Sequence, residues 1–278
     1  MKFSPRVIKS NANISLTSPV KDFFELVIKI LGLILVIYVL LGFAVDYIAP
    51  RISINAELKL SKLFSHRFEK KERTHVELQL QQILDELVKK SQGLPPFIYK
   101  VYVEESKDIN AFALPGGNIV VFSALLKEVG SKNELAIVLA HELGHFYHRD
   151  HLRGLGRSLV FLLISSTLFG SDSSVSKVIT NAVTNTEMRF SQAQEKAADL
   201  YALDLLSEAY GGVVGATDFL EKMSRKEKLW PILYIFASHP YSASRIAAIK
   251  ENIKLKGYVT GQKIPFTIEM KENLSKNN

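Results

Sequence analysis

The chain has 278 residues, with 35 Lys and Arg against 28 Asp and Glu, a formal net charge of +7 and no cysteine. The absence of cysteine excludes disulfides, thiolate nucleophiles and cysteine-ligated zinc sites. The basic residues are scattered among acidic ones, without the aromatic-interleaved basic clusters of a nucleic-acid-binding face, so we expect no nucleic-acid partner.

The N-terminal region combines a polar tail with a long apolar run. Residues 1–23 are basic and rich in Ser and Asn, and they show no helical or strand period, so we expect a flexible tail. Residues 24–49 carry no charge between Ile30 and Val45, and we interpret them as a transmembrane anchor. A cleavable signal peptide is the alternative, but the long apolar run and the long polar leader favour an uncleaved anchor.

Positive residues flank this apolar run on both sides, so the charge balance across it is nearly even. They are Lys2, Arg6, Lys9 and Lys21 before the run and Arg51, Lys59, Lys62 and Arg67 after it. Long C-terminal domains cross a membrane largely regardless of charge, so the short basic tail carries more weight. We expect a single-pass protein of a bacterial inner membrane, with the tail inside and the C-terminal domain in the periplasm.

The remaining chain divides into a juxtamembrane linker, residues 50–73, and one domain, residues 74–278. THVELQLQQILDELVKK has apolar residues at helical spacing from Val76 to Val88 and predicts a helix. FIYKVYVEE predicts a strand, and Pro115-Gly116-Gly117 between two apolar runs predicts a hairpin. Helical patterns dominate the rest. The expected fold class is α+β, mostly helical with a small β-sheet, preceded by one transmembrane helix.

The stretch LAHELGHFYHRDH, residues 139–151, contains an HExxH motif. A capping-box pattern beginning at Ser131 predicts a helix that enters the motif through an apolar turn. On a helix, His141 and His145 project side by side and can share one zinc ion, while Glu142 is offset and can act as a general base. Two buried histidines and a buried glutamate without partners would be costly, and a metal ion removes that cost.

A catalytic zinc site needs a third protein ligand, and the sequence offers two candidates. His151 matches the spacing of the metzincin motif, but His148 stands where that motif has glycine, so we expect both histidines at the surface of the helix end. Glu195 lies on a predicted helix with Asp199 one turn later. Glu195 would bind zinc, and Asp199 would accept the free N–H of a ligand histidine. The sequence favours Glu195 and leaves His151 as the alternative.

HELGH at 141–145, followed by Glu195 and Asp199 in an E-x-x-x-D helix, resembles the HtpX and CaaX prenyl protease type family of membrane-associated gluzincins. That family includes the mitochondrial Oma-type and the periplasmic assembly-quality peptidases. NAFALPGGNIVVFSALL and SHPYSASRI are similar to two further family segments. One departure is Gln192, where the family often has arginine. The resemblance implies a zincin-like metallopeptidase domain that holds one Zn²⁺ per chain.

The resemblance also implies roles for the two flanking segments. The first would be a sheet edge where an extended polypeptide substrate adds as a further strand, formed by Asn110, Ala111, Phe112 and Ala113. From the second segment, His239 or Arg245 would stabilise the oxyanion, with Tyr241 as a weaker candidate. A packing histidine and a structural arginine are the alternative for His239 and Arg245.

We therefore predict a membrane-anchored zinc endopeptidase that cleaves unfolded or misassembled membrane or envelope proteins, because only unstructured segments present a free strand. The alternative is a non-catalytic, metal-stabilised peptide-binding module at the membrane. Glu142 favours the enzyme, since a structural zinc site closes its fourth position and needs no base. The oligomeric state is not predicted.

A second apolar run follows the motif at residues 155–170. Its charge-free part, Leu159 to Phe169, is too short to span a bilayer. The sequence leaves three interpretations open, which are a core helix, a cap over the cleft and a face that enters the membrane.

Overall fold

A computed structural model of the protein describes residues 18–65, 68, 73–170, 190–229, 239 and 243–265. The helices are α1 Pro19–Ile48, α2 Ile54–Ser65, α3 His75–Lys90, α4 Ser123–Glu128, α5 Lys132–His148, α6 Asp150–Phe169, α7 Gln192–Tyr210, α8 Asp218–Leu229 and α9 Ala243–Lys256. The strands are β1 Lys100–Glu104, β2 Ala111–Leu114 and β3 Asn118–Phe122. This is the mostly helical α+β fold with a small sheet that the sequence predicts.

Helix α1 is the apolar helix expected from the sequence. It begins at Pro19, which suits the first turn of a helix because proline has no backbone N–H to satisfy there. Together with a 3₁₀ turn at Ala49–Arg51 it is long and apolar enough to cross a membrane, and the described residues hold no other helix that meets this measure. None of its residues is buried, so its apolar side chains remain available to lipid.

The three-stranded sheet has the order β1-β3-β2. Strands β2 and β3 form the predicted hairpin, and their antiparallel register pairs Ala111 with Val121 and Leu114 with Asn118. Gly116 and Gly117 turn the chain with φ of 81° and 85°, values that side chains with a Cβ rarely adopt. Because β3 lies between its two neighbours, β2 is an edge strand of the sheet.

Helix α5, which carries the HExxH motif, packs closely against α7. Both helices are capped by a serine, Ser131 and Ser191 respectively, that accepts a backbone N–H of the first turn. At Gly144 the two backbones approach so closely that a Cβ would lie 2.9 Å from the Cα of Ala198. This contact brings the motif histidines of α5 against Glu195 on α7.

The segment expected to be a juxtamembrane linker contains α2, whose Glu57 is completely buried. Its carboxylate accepts hydrogen bonds from His151 Nε2 at 2.8 Å, Arg149 Nη2 at 2.7 Å and the backbone N–H of Gly116 at 3.0 Å. Glu57 therefore connects the membrane-proximal helix to the hairpin turn and to the end of α5.

The expectation that His151 is a surface residue is wrong. His151 is fully buried, with Nε2 bonded to Glu57 and Nδ1 3.3 Å from the carbonyl oxygen of His145. The chain leaves α5 at Arg149, which has a positive φ of 58° despite its Cβ. Arg149 also donates to the carbonyl of Ile52 at 2.8 Å, so its contacts with the linker offset the backbone strain.

Candidate active site

The two motif histidines face each other in the interior. His141 and His145 are almost completely buried, and their Nε2 atoms are 3.2 Å apart. A carboxylate oxygen lies behind each ring, with Asp199 Oδ1 2.9 Å from Nδ1 of His141 and Asp150 Oδ2 3.2 Å from Nδ1 of His145. A carboxylate in this position fixes the Nδ1–H tautomer and leaves the Nε2 lone pair free for a metal ion.

Glu195 and His239 complete the group. The carboxylate of Glu195 lies 3.5 Å from His141 Nε2 and 3.6 Å from His145 Nε2. His239 Nδ1 lies 2.9 Å from Glu195 Oε1 and 3.2 Å from His141 Nε2. One ligand atom from each of the four residues lies within 4.8 Å of the others. His151 is not a member of this group, so the structure brings Glu195, and not His151, to the motif histidines.

The electrostatics of the group fit a cation. Burial alone would lower the pKa of His141, but Asp199 and Glu195 raise it to about 10 through hydrogen bonds and charge. Glu142 Oε2 and His239 Nε2 are buried without a hydrogen-bond partner among the described residues. Two imidazoles and a carboxylate around one point are ligands that zinc prefers.

Glu142 lies beside the group but outside it. Its Oε1 is 3.6 Å from Nε2 of His239, and the residue is 2% exposed. Burial raises the pKa of Glu142 above its usual value, and the nearby charges of His239 and His141 oppose this shift. A carboxylate with a raised pKa is a better proton acceptor near neutral pH than an ordinary glutamate.

Arg245 and Asp199 form a buried pair behind the ligand group. Arg245 donates from Nε and Nη2 to the two carboxylate oxygens of Asp199 at 2.9 and 2.7 Å, and its Nη1 lies 2.5 Å from Glu195 Oε2. These contacts favour the structural interpretation of Arg245, in which it holds the two carboxylates in place. Tyr241, the weaker candidate from the same segment, lies outside the described residues.

Sequence reasoning missed three contributions to the site. Asp150 is buried and, besides contacting His145, accepts hydrogen bonds from Arg153 and Gln194 at 2.7 and 2.8 Å. Phe190 stacks on the ring of His145 with centroids 3.9 Å apart. His239 was considered for the oxyanion and not for the metal group. The position of Asp150 directly after the motif helix was the feature of the sequence that could have identified it.

An apolar cleft opens beside His141 and Glu142. Side chains from several elements line it, among them Ile137, Val138, Phe219, Leu220 and Ile249. Strand β2 reaches the same cleft through Ala111. Because the N–H of Phe122 donates to the carbonyl of Asn110, the alternation of an antiparallel ladder directs the backbone groups of Ala111 and Ala113 away from β3.

Comparisons with known proteins agree with this geometry. Metalloprotease LoiP of Escherichia coli (strain K12) is 30% identical over 167 residues, which cover 58% of this chain and 65% of LoiP. The mitochondrial metalloendopeptidase OMA1 of Arabidopsis thaliana is 34% identical over 113 residues, or 40% of this chain and 23% of that protein. The beta-barrel assembly-enhancing protease of Escherichia coli (strain K12) is 29% identical over 163 residues, which cover 54% of this chain and 33% of that protein.

The chain thus spans less than two thirds of the length of each of these relatives. The family model of peptidase family M48 matches residues 74–253, a region that contains the HExxH helix, Glu195 and Asp199, His239 and Arg245. The match covers more than half of the chain and begins at Thr74, the residue that caps α3. The chain belongs to peptidase family M48.

Proposed function

We propose that this protein is a membrane-anchored zinc endopeptidase that cleaves extended segments of unfolded or misassembled proteins. The observation that carries the proposal is the convergence of His141, His145 and Glu195 on one point. Beside it lies a carboxylate oxygen of Glu142 that has no hydrogen-bond partner in the part of the chain that the structure describes. The names of the relatives, which include metalloproteases and an assembly-enhancing protease, support the same activity.

The ligand assignment follows from what hydrolysis requires. A catalytic zinc site has three protein ligands and keeps its fourth position open, so we assign His141, His145 and Glu195 as the ligands. His239, whose Nδ1 lies 2.9 Å from Glu195 Oε1, would then not be a ligand, and an N–H of its imidazole would stabilise the oxyanion. Asp199 and Asp150 hold the two ligand histidines in the correct tautomer, and Arg245 holds Asp199 and Glu195.

The chain's own residues move the proton. When bound, zinc supplies Lewis-acid polarisation of the scissile carbonyl and lowers the pKa of the attacking water. Glu142 accepts a proton from that water at its carboxylate as the water attacks the peptide carbonyl. Glu142 then passes this proton to the nitrogen of the leaving amine. The burial that raises the pKa of Glu142 suits both transfers, because the group must first accept the proton and later release it.

The edge of β2 supports an extended substrate. The backbone groups of Ala111, which point away from β3 where the strand reaches the cleft, offer hydrogen bonds to a peptide chain lying beside His141 and Glu142. Ala113 points the same way but is completely buried, so a peptide reaches this edge first at Ala111. Such contacts recognise an extended backbone and not a particular sequence. The apolar lining of the cleft further favours a large apolar side chain beside the scissile bond.

Helix α1 supports a location at a membrane. A membrane helix with the peptidase domain on its C-terminal side keeps the active site near the bilayer, where unfolded membrane proteins are encountered. In the bacterial inner membrane that we propose for it, the basic tail favours the orientation that places this domain in the periplasm.

A paired measurement tests the proposal. Zinc per mole and cleavage of casein are measured for detergent-purified wild type, Glu142→Gln and Glu195→Ala, with Glu208→Ala, an exposed acid on the same helix as Glu195, as the control. We expect Glu142→Gln to keep its zinc and lose about 10²-fold or more in kcat. Glu195→Ala should lose both zinc and activity, and Glu208→Ala should lose neither.

Other outcomes favour different conclusions. If Glu195→Ala keeps its metal and its activity, the ligand assignment is wrong. If zinc-loaded wild type cuts neither casein nor an unfolded membrane protein, the non-catalytic peptide-binding module is the better description.

A further inference from the structure

We infer that α6 is a second membrane element, which enters the bilayer beside α1 and exposes its apolar side chains to lipid. The sequence left the role of this apolar segment open, and the mechanism proposed above uses no residue between 155 and 170. Four features support the inference. They are the direction of α6, its packing against α1, the ion pair between the two helices and the exposed apolar side chains of α6.

The direction of α6 follows from two contacts near its start. Arg149, directly before α6, donates to the carbonyl of Ile52, just after the 3₁₀ turn that follows α1. Seven residues later, Gly156 lies so close to Val45 that a Cβ on the glycine would be 2.6 Å from Val45 Cγ1. As the residue number rises along α6, it falls along α1, so the helices are antiparallel. At 1.5 Å per residue, the part of α6 after Gly156 extends about 20 Å along α1.

The packing of α1 agrees with this path. Most of its residues are exposed, and the partly covered ones are Val27, Ile34, Leu41, Gly42, Val45 and Asp46. Spacings of seven, four and one residues place them on one side of the helix. These residues include the part of α1 that runs alongside α6.

An ion pair joins α6 and α1 at one height along the two helices. Arg157 donates two hydrogen bonds to the carboxylate of Asp46, at 2.8 and 2.6 Å. Beyond this pair, α6 has no charged residue from Ser158 to Phe169, and α1 has none back to Ile30. The pair therefore stands at the domain-side end of the charge-free stretch of each helix, which is the place of a membrane surface, and pairing lowers the cost of charges at that depth.

Several large apolar side chains of α6 are exposed. Leu159 and Leu163, one turn apart, are 52% and 60% exposed, and Phe161 and Leu168, seven apart, are 47% and 48% exposed. The two pairs lie on opposite sides of the helix, since residues 161 and 163 are about 200° apart. Large apolar side chains on both sides of a helix would be unfavourable in water. These side chains extend the lipid-accessible apolar surface of α1. A lipid bilayer is therefore the environment that suits them.

Site-specific labels test this inference, and the absence of cysteine makes every introduced cysteine unique. The full chain is reconstituted in phosphatidylcholine vesicles with an environment-sensitive fluorophore at Phe161→Cys, Leu163→Cys or Leu168→Cys. Leu35→Cys on α1 is the membrane reference, and Leu78→Cys, a 48% exposed residue of α3, is the aqueous reference. Zinc content and the circular dichroism spectrum report whether each labelled protein is folded.

We expect lipid-borne quenchers to reach all three α6 labels, as they reach Leu35→Cys, and aqueous iodide to quench only Leu78→Cys. Seven residues of helix are about 10 Å long, so Leu168→Cys should lie deeper than Phe161→Cys. Iodide quenching of the α6 labels would overturn the inference. Labels reached by neither quencher would also overturn it, since α6 would then be covered by protein. If Leu35→Cys itself is reached only by iodide, α1 is not a membrane helix and the inference fails with it.

Discussion

Asp150 Oδ2 lies 3.2 Å from Nδ1 of His145, so the second histidine of the motif is held by a carboxylate from the next helix. The first histidine has the same arrangement with Asp199 of α7. Each motif histidine therefore has its own carboxylate, and each carboxylate has a cationic or amide partner in turn. For Asp150 these partners are Arg153 and Gln194, and for Asp199 the partner is Arg245.

The first prediction concerns this arrangement. Asp150→Asn removes the negative charge behind His145 and disturbs its tautomer, so zinc affinity should fall by about 10- to 100-fold. Competition with a zinc-binding dye measures the change, and Asp108→Asn, an exposed acid that is not a member of the ligand group, is the control. An Asp150→Asn protein with unchanged affinity would show that His145 is oriented by its packing against Phe190 alone.

Local patterns predicted much of the fold. Helical spacing located α3 and α7, Pro115-Gly116-Gly117 located the hairpin, and the HExxH spacing placed His141, Glu142 and His145 on one helix. Glu195 and Asp199 were found because a carboxylate pair one turn apart amid small apolar residues is unusual on a solvated helix. These features depend on residues that are near one another in the sequence.

The parts that sequence reasoning missed depend on long-range contacts. Glu57 and His151 are 94 residues apart, and neither segment suggests that the other buries it. His239 and Glu195 are 44 residues apart. Arg149 adopts a positive φ that its residue type disfavours, because its guanidinium reaches the linker. Tertiary contacts therefore override the local preference here, which explains why His151 was wrongly expected at the surface.

A second prediction concerns the contact between α5 and α7. In Gly144→Ala the new methyl group meets the backbone of Ala198, with its Cα at 2.9 Å and its carbonyl oxygen at 3.0 Å, and backbone cannot move aside as a side chain does. We expect a loss of about 1–3 kcal/mol in the free energy of unfolding, and weaker zinc binding as Glu195 moves from the histidines. Gly32→Ala, with no atom within 4 Å of the new Cβ, is the control. Equal stability of the two variants would contradict the close approach.

A third prediction uses the pH dependence of stability. Burial alone would raise the pKa of Glu57, but the hydrogen bond and charge of His151, with contributions from Gly116 and Arg149, lower it below its usual value of 4.5. A lowered native pKa stabilises the folded state fully above the unfolded pKa, and this contribution is lost as the pH falls through the native value. Glu57→Gln should lose about 3 kcal/mol at neutral pH, because Arg149 is left without its buried partner.

Denaturant unfolding of wild type and Glu57→Gln across pH measures this effect. The difference between them should be constant near neutral pH and should narrow below about 4.5, as Glu57 takes up a proton in the unfolded state first. Glu86→Gln, which removes a half-exposed ion pair with Lys132, is the control and should cost less than about 1 kcal/mol. A difference that stays constant down to the lowest pH would show that the charge of Glu57 contributes nothing.

The last prediction concerns how the substrate is held at β2. If a peptide pairs with the edge of β2 from Ala111, whose backbone groups point outward, only alternate substrate residues donate an N–H to this edge, because the side-chain and hydrogen-bond period of a strand is two. A series of otherwise identical peptides, each N-methylated at one backbone position, should therefore lose kcat/KM at every second position. Each lost hydrogen bond corresponds to about 1 kcal/mol, or roughly a fivefold to tenfold decrease. A uniform loss at every position would mean that the substrate lies elsewhere in the cleft, held by its side chains against the apolar lining formed by Ile137, Phe219 and their neighbours.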